Sequence, residues 1–149
     1  MKKSGHITGF YLETLILITV FISIILVLTQ VFGLARVQSA RARELTEAVA
    51  LAGNAAEAVS ASETENALLA LLDENGNARP MPDTAGVTAC YDADLNPAPQ
   101  GDYRVDVTWL PEETETGTMI RSVIEVRCGE NSEPVYRLET ESFRPEVSA

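Results

Sequence analysis

Few residues in this chain stand in patterns that do chemistry. The only histidine is His6, so no Ser, His and Asp triad can form in the rest of the chain. No CxxC spacing exists either, and a zinc ligand set is therefore not expected. Two stretches, Asp73-x-Asn75-x-Asn77 and Asp92-x-Asp94-x-Asn96, carry the alternating oxygen ligands of a calcium loop. The sixth place, which needs glycine, is Ala78 or Pro97, and the twelfth is Thr84 or Tyr103 instead of a bidentate Glu, so both read as turns. There is no glycine-rich phosphate loop. Carboxylates are plentiful, but abundance over an acidic surface is not an acid–base pair. The expectation is a protein without enzymatic activity, cofactor or metal.

Two features survive this sorting. Cys90 and Cys128 are the only cysteines, so a disulfide has one possible connectivity, and such a bond persists in oxidising, extracytoplasmic compartments. It would close a loop worth about 4 kcal/mol to a small domain; the alternative is two unrelated buried thiols. The second feature is Glu13, a carboxylate at the start of an otherwise apolar run. Such a placement costs energy and marks a functional position unless the side chain merely snorkels to the membrane interface.

The element that carries Glu13 is the clearest in the sequence. From Leu15 to Leu28 the residues are almost all aliphatic, and no charge follows Glu13 until Arg36. Residues 11–35 as a helix would be about 37 Å long, against a hydrocarbon core of about 30 Å, and predict one membrane-spanning helix. A buried core helix is disfavoured because the rest of the chain has too little apolar surface to surround it. A cleaved secretory signal ending at Gly33-Leu34-Ala35 is disfavoured because the run exceeds the usual signal core of about 7 to 15 residues. Lys2, Lys3 and the terminal amine precede the span while Arg36, Arg41 and Arg43 follow it, a near balance. The short leader and the cysteine pair favour a cytoplasmic N-terminus and an extracytoplasmic C-terminal domain.

Residues 44–149 hold 21 acidic residues against six arginines, a net charge of about −15. Nucleic acid is disfavoured as a partner, because its phosphates would be repelled. Past the span the helical pattern continues, with Leu34, Val37, Arg41, Leu45, Val49, Ala52, Ala56 and Val59 on one stripe. Gly53-Asn54 is its weak point. A second helix is expected over 65–72 after Ser60-Ala61-Ser62-Glu63-Thr64, whose small and polar residues suit a break and an N-cap, ending at the Asn75-Gly76 turn. Residues 103–109 and 120–128 alternate apolar and polar as strands, joined by a loop over 112–118, and 87–91 and 135–140 are shorter candidates. The predicted class is α+β: a long N-terminal helix whose distal half covers an antiparallel meander of three or four strands. The divisions are 1–9 leader, 10–35 membrane span, 36–60 distal helix and 61–149 globular domain.

The Lys2-Lys3 leader, Thr8-Gly9-Phe10, Glu13 and the aliphatic span together resemble the N-terminus of type IV prepilins and type II secretion pseudopilins. The resemblance covers residues 1 to about 59 at motif level, and a helix with an antiparallel sheet fits that pilin-like fold in outline. It implies that an inner-membrane prepilin peptidase cuts between Gly9 and Phe10 and methylates the new N-terminus. It also implies that Glu13 neutralises the amine of Phe10 on an adjacent subunit. The family's usual glutamate stands one position further on, where this chain has Thr14. The implied function is a structural subunit, a minor pilin or pseudopilin, of a pilus, competence or secretion filament. Its partners would be other pilin-like subunits, the peptidase, an inner-membrane platform, and membrane lipid before assembly. A monomeric, membrane-anchored binding domain is the alternative from a different class.

Overall fold

The computed structural model describes residues 4–114, 116–129 and 133–145; the first residues of the leader and the end of the chain lie outside the described residues. The chain divides into two compact units, residues 1–42 and 43–149, and helix α1 (Ser4–Ala61) contributes to both.

In the first unit α1 stands without cover. Apart from half-buried Thr14, every residue over 9–43 is exposed. An 18-residue stretch has a mean hydropathy of 2.8 and none of it is buried among the described residues, and the helix is long and apolar enough to cross a membrane. Its few hydroxyls are satisfied within the helix. Thr14, Thr19, Ser23 and Thr29 each donate to the carbonyl four residues earlier, at 2.8 to 2.9 Å. A helix placed in hydrocarbon would need this, since the lipid offers no other acceptor.

The second unit contains residues 43–61 of α1, helix α2 (Glu65–Leu72) and five strands. The strands are β1 (Ala78–Pro80), β2 (Gly86–Tyr91), β3 (Tyr103–Thr114), β4 (Gly117–Cys128) and β5 (Tyr136–Pro145), paired antiparallel in sequence order. The meander thus has one strand more than expected, because the extended Arg79-Pro80 segment pairs with Val87 and Thr88. The Thr64 hydroxyl caps α2 by accepting from the Ala67 amide at 3.2 Å. Glu65 ties α2 to the sheet, its Oε1 accepting the Gly86 amide at 2.7 Å.

The core joins Ala48, Leu51, Ala52, Ala55 and Val59 of α1 to Val87, Val105, Val107, Trp109, Ile124 and Val126 of the sheet. The buried stripe of α1 is therefore rotated from the expected one: Leu45 and Val49 are 46% and 43% exposed. Alanines at the contact let the helix approach a sheet whose own side chains supply the bulk. Gly53-Asn54 does not break α1, which continues to Ala61.

Two strand ends differ from expectation. The loop expected over 112–118 is mostly strand, since Glu112, Glu113 and Thr114 pair with Met119, Thr118 and Gly117. Pairing of backbones does not require apolar side chains, so charged residues hid it. β5 likewise runs on to Pro145, and Gly117 faces it so closely that a Cβ there would sit 2.0 Å from the Arg144 carbonyl oxygen.

The expected disulfide is overturned: Cys90 and Cys128 are both free. Cys90 pairs in register with Arg104 and Cys128 with Tyr103, so β3 lies between them and they occupy opposite faces of the sheet. Two strand spacings are about 9.5 Å, beyond the roughly 7 Å limit between bridged Cα atoms. The compartment assignment loses the support it drew from that bond.

Candidate functional site

The residues singled out for processing and assembly fall on the exposed start of α1. Gly9, Phe10 and Glu13 are all exposed and lie within one turn of each other. Phe10, 66% exposed, meets Tyr11 edge-on with ring centres 6.3 Å apart. Glu13 makes no hydrogen bond or ion pair among the described residues, whereas the Thr14 hydroxyl is spent on the Phe10 carbonyl at 2.9 Å. The carboxylate thus stands at position 13, about 100° around the helix from position 14. Nothing lies within 4 Å of a Cβ built on Gly9. Glycine in a helix costs about 1 kcal/mol relative to alanine, and the fold itself gives no reason for it here. The Gly9–Phe10 peptide is helical, so a protease that reads an extended backbone must first unwind this end.

In the globular unit, the two turn motifs are closed by their own atoms. Asp92 Oδ1 accepts the amides of Asp94 and Asn96, both at 2.9 Å, and Asn77 Oδ1 accepts the Glu74 amide at 3.0 Å. The Asn96 amide, foremost, holds the Asp92 carboxyl below its ordinary range. No group of acidic, His or Cys residues fit to hold a metal occurs among the described residues.

The solvent face of the sheet carries a charge ladder. Asp106 accepts from Thr88 at 2.7 Å and pairs with Arg104 and Arg127; Arg127 reaches Glu125, and Arg137 links Glu125 to Glu139. Arg121 and Glu141 pair at 2.9 Å. The pairs at Arg121–Glu141 and Arg137–Glu139 are exposed and contribute about 0 to 1 kcal/mol each, whereas Arg127, Asp106 and Glu125 are partly buried.

On the other face, where α1 begins its contact with the sheet, Glu47 is clamped from two sides. Tyr103 donates its hydroxyl to Glu47 Oε2 at 2.5 Å, and Arg43 Nε donates to Oε1 at 2.6 Å. The Tyr103 bond, then the Arg43 bond, lowers the Glu47 pKa. Burial, then the same bond, raises that of the Tyr103 phenol. Cys128 beside them is raised as well, chiefly by burial.

At the end of the domain remote from Arg43, a cleft of about 400 Å³ opens beside Glu63, Trp109, Ile120 and Arg144. The Arg144 guanidinium lies 5.8 Å from the centre of the Trp109 ring. Sequence reasoning missed this cleft. Glu63, from the connection between α1 and α2, Trp109 of β3 and Arg144 of β5 lie far apart in the chain, and no spacing announces them.

No family model, curated protein or solved structure matches this chain.

Proposed function

We propose that this chain is a structural subunit, a minor pilin or pseudopilin, that assembles through its N-terminal helix into a filament of the pilus, competence or secretion type. The observation that carries the proposal is an apolar helix with no cover in its own chain, continuous with a helix that is part of a folded α+β domain. An uncovered surface of this size requires lipid, other helices, or each in turn. Glu13 without an internal partner and Gly9 without a packing reason are accounted for if both act outside the chain, one on a neighbour's amine and one in a peptidase.

The mature subunit would begin at Phe10, with the globular domain on the extracytoplasmic side and later on the filament exterior. Mass spectrometry of the protein from cells that carry a prepilin peptidase tests this at one bond. A chain starting at Phe10, carrying one added methyl group, is expected. A chain that keeps Met1 would leave the anchored binding domain, one that starts near Arg36 would be a domain released from its apolar helix, and either overturns the proposal.

A further inference from the structure

We propose that the cleft beside Arg144 binds a small zwitterion, a molecule or chain end bearing a carboxylate and an ammonium group. The inference goes beyond filament assembly and does not rest on it. Of the arginines on β3 to β5, Arg104, Arg121, Arg127 and Arg137 are each held by a carboxylate. Arg144 is held instead by the Trp109 ring, 5.8 Å away. An arginine backed by an aromatic face has its plane fixed while the edge of its fork stays open to receive a carboxylate bidentately.

The cleft also supplies the opposite charge. Glu63, between α1 and α2, and Glu113, on β3, line it, yet neither forms an ion pair with Arg144 among the described residues. Positive and negative groups thus face one space without cancelling each other. A ligand with the inverse pattern neutralises both, whereas a phosphate dianion would meet two carboxylates and a simple cation would meet the arginine. The floor is Trp109, 6% exposed, and buried Ile120, so the ligand's charged groups are partly shielded from water. The volume of about 400 Å³ falls in the range of about 300 to 1,000 Å³ usual for small-molecule sites.

Trp109 is the only tryptophan, and its emission therefore reports directly on this cleft. The full chain in detergent micelles would be titrated with alanine, glycylglycine, acetate and inorganic phosphate. A saturable change with alanine or glycylglycine, absent or at least about tenfold weaker with acetate and phosphate, is expected. Of the two zwitterions, the tighter one tells a free amino acid from a peptide end. Arg144→Gln should weaken that response by at least about tenfold, and Arg144→Lys, which keeps the charge but loses the fork, by less. Should Arg144→Gln lose its far-UV circular dichroism, the Glu63→Gln/Glu113→Gln double variant decides, because it leaves Arg144 on its ring and must erase the preference for the zwitterion over acetate. No saturable response, an equal response to phosphate, or a double variant that keeps the preference would overturn the proposal.

Discussion

At the scale of single residues, burial separates what the fold needs from what something outside the chain needs. Tyr103 is needed within: 4% exposed and bonded to Glu47, it holds its proton more tightly than an unfolded tyrosine does. The sign follows from linkage. Below the unfolded value, about 10, both states are protonated and the full contribution is present; above it the unfolded chain gives up the proton first, so stability falls as pH rises. Alkaline unfolding followed by circular dichroism should steepen there, and Tyr103→Phe should remove about 1.4 kcal/mol per pH unit of that slope. Glu47 has the opposite sign. Its lowered pKa favours the folded state above the ordinary glutamate range, and that contribution is lost as pH falls through the folded value. Gly9 is the outward case. With open space around it, Gly9→Ala should leave the fold intact, strengthen the helix end by up to about 1 kcal/mol, and abolish the Phe10 N-terminus in peptidase-bearing cells; unchanged processing would remove glycine from the motif. Glu13 stood out because it breaks a local rule, a charge in an apolar run, whereas Gly9 was named only through the resemblance of Thr8-Gly9-Phe10 to a processing motif. Arg144 on Trp109 was not legible, because it depends on β5 running to Pro145, beyond the last alternating residue that marks a strand.

At the scale of elements, legibility followed the strength of local signals. Helix α2 was readable at both ends, its start from the small and polar stretch Ser60 to Thr64, of which Thr64 is the cap, and its end from the Asn75-Gly76 turn. The buried face of α1 was misread for a reason of volume. Pattern reasoning selects the largest apolar residues, Leu45 and Val49, but the sheet supplies bulk and takes alanines in return. The cysteine pair was misread although its parity was visible. Val87, Ala89 and Tyr91 share one face of β2, so Cys90 must face away from the core, while Cys128 shares the face of Val126. Unfolded without reductant, the protein should show two titratable thiols per chain, and reductant should leave its melting temperature unchanged; a thiol count near zero would contradict the register. Core packing between elements can be tested at Ile124, which is fully buried on β4 and part of the shared core. Ile124→Ala should cost about 2 to 5 kcal/mol in denaturant unfolding, with the loss growing as the site fails to collapse.

At the scale of the whole molecule, the two units present different surfaces. Residues 1–42 present uninterrupted apolar surface over the span, while residues 43–149 enclose their own core and carry almost all the acidic charge. Composition over the full length, with a mean hydropathy of +0.03, conceals this division; the order of residues reveals it. If each unit's stability is its own, a chain starting at Arg43 should fold without lipid or detergent. Among the described residues every buried core residue lies at Ala48 or later, so the cut removes none of them. Strong net charge then keeps the isolated domain dispersed. Circular dichroism and sedimentation should show a β-rich monomer, melting within about 4 °C of the domain transition of the full chain, the shift that about 1 kcal/mol would produce. The full chain, in contrast, should sediment with membranes and need detergent to leave them. A truncated domain that aggregates or fails to melt cooperatively would mean that the apolar helix is part of the fold, and its use as a separable assembly spine would fall with it.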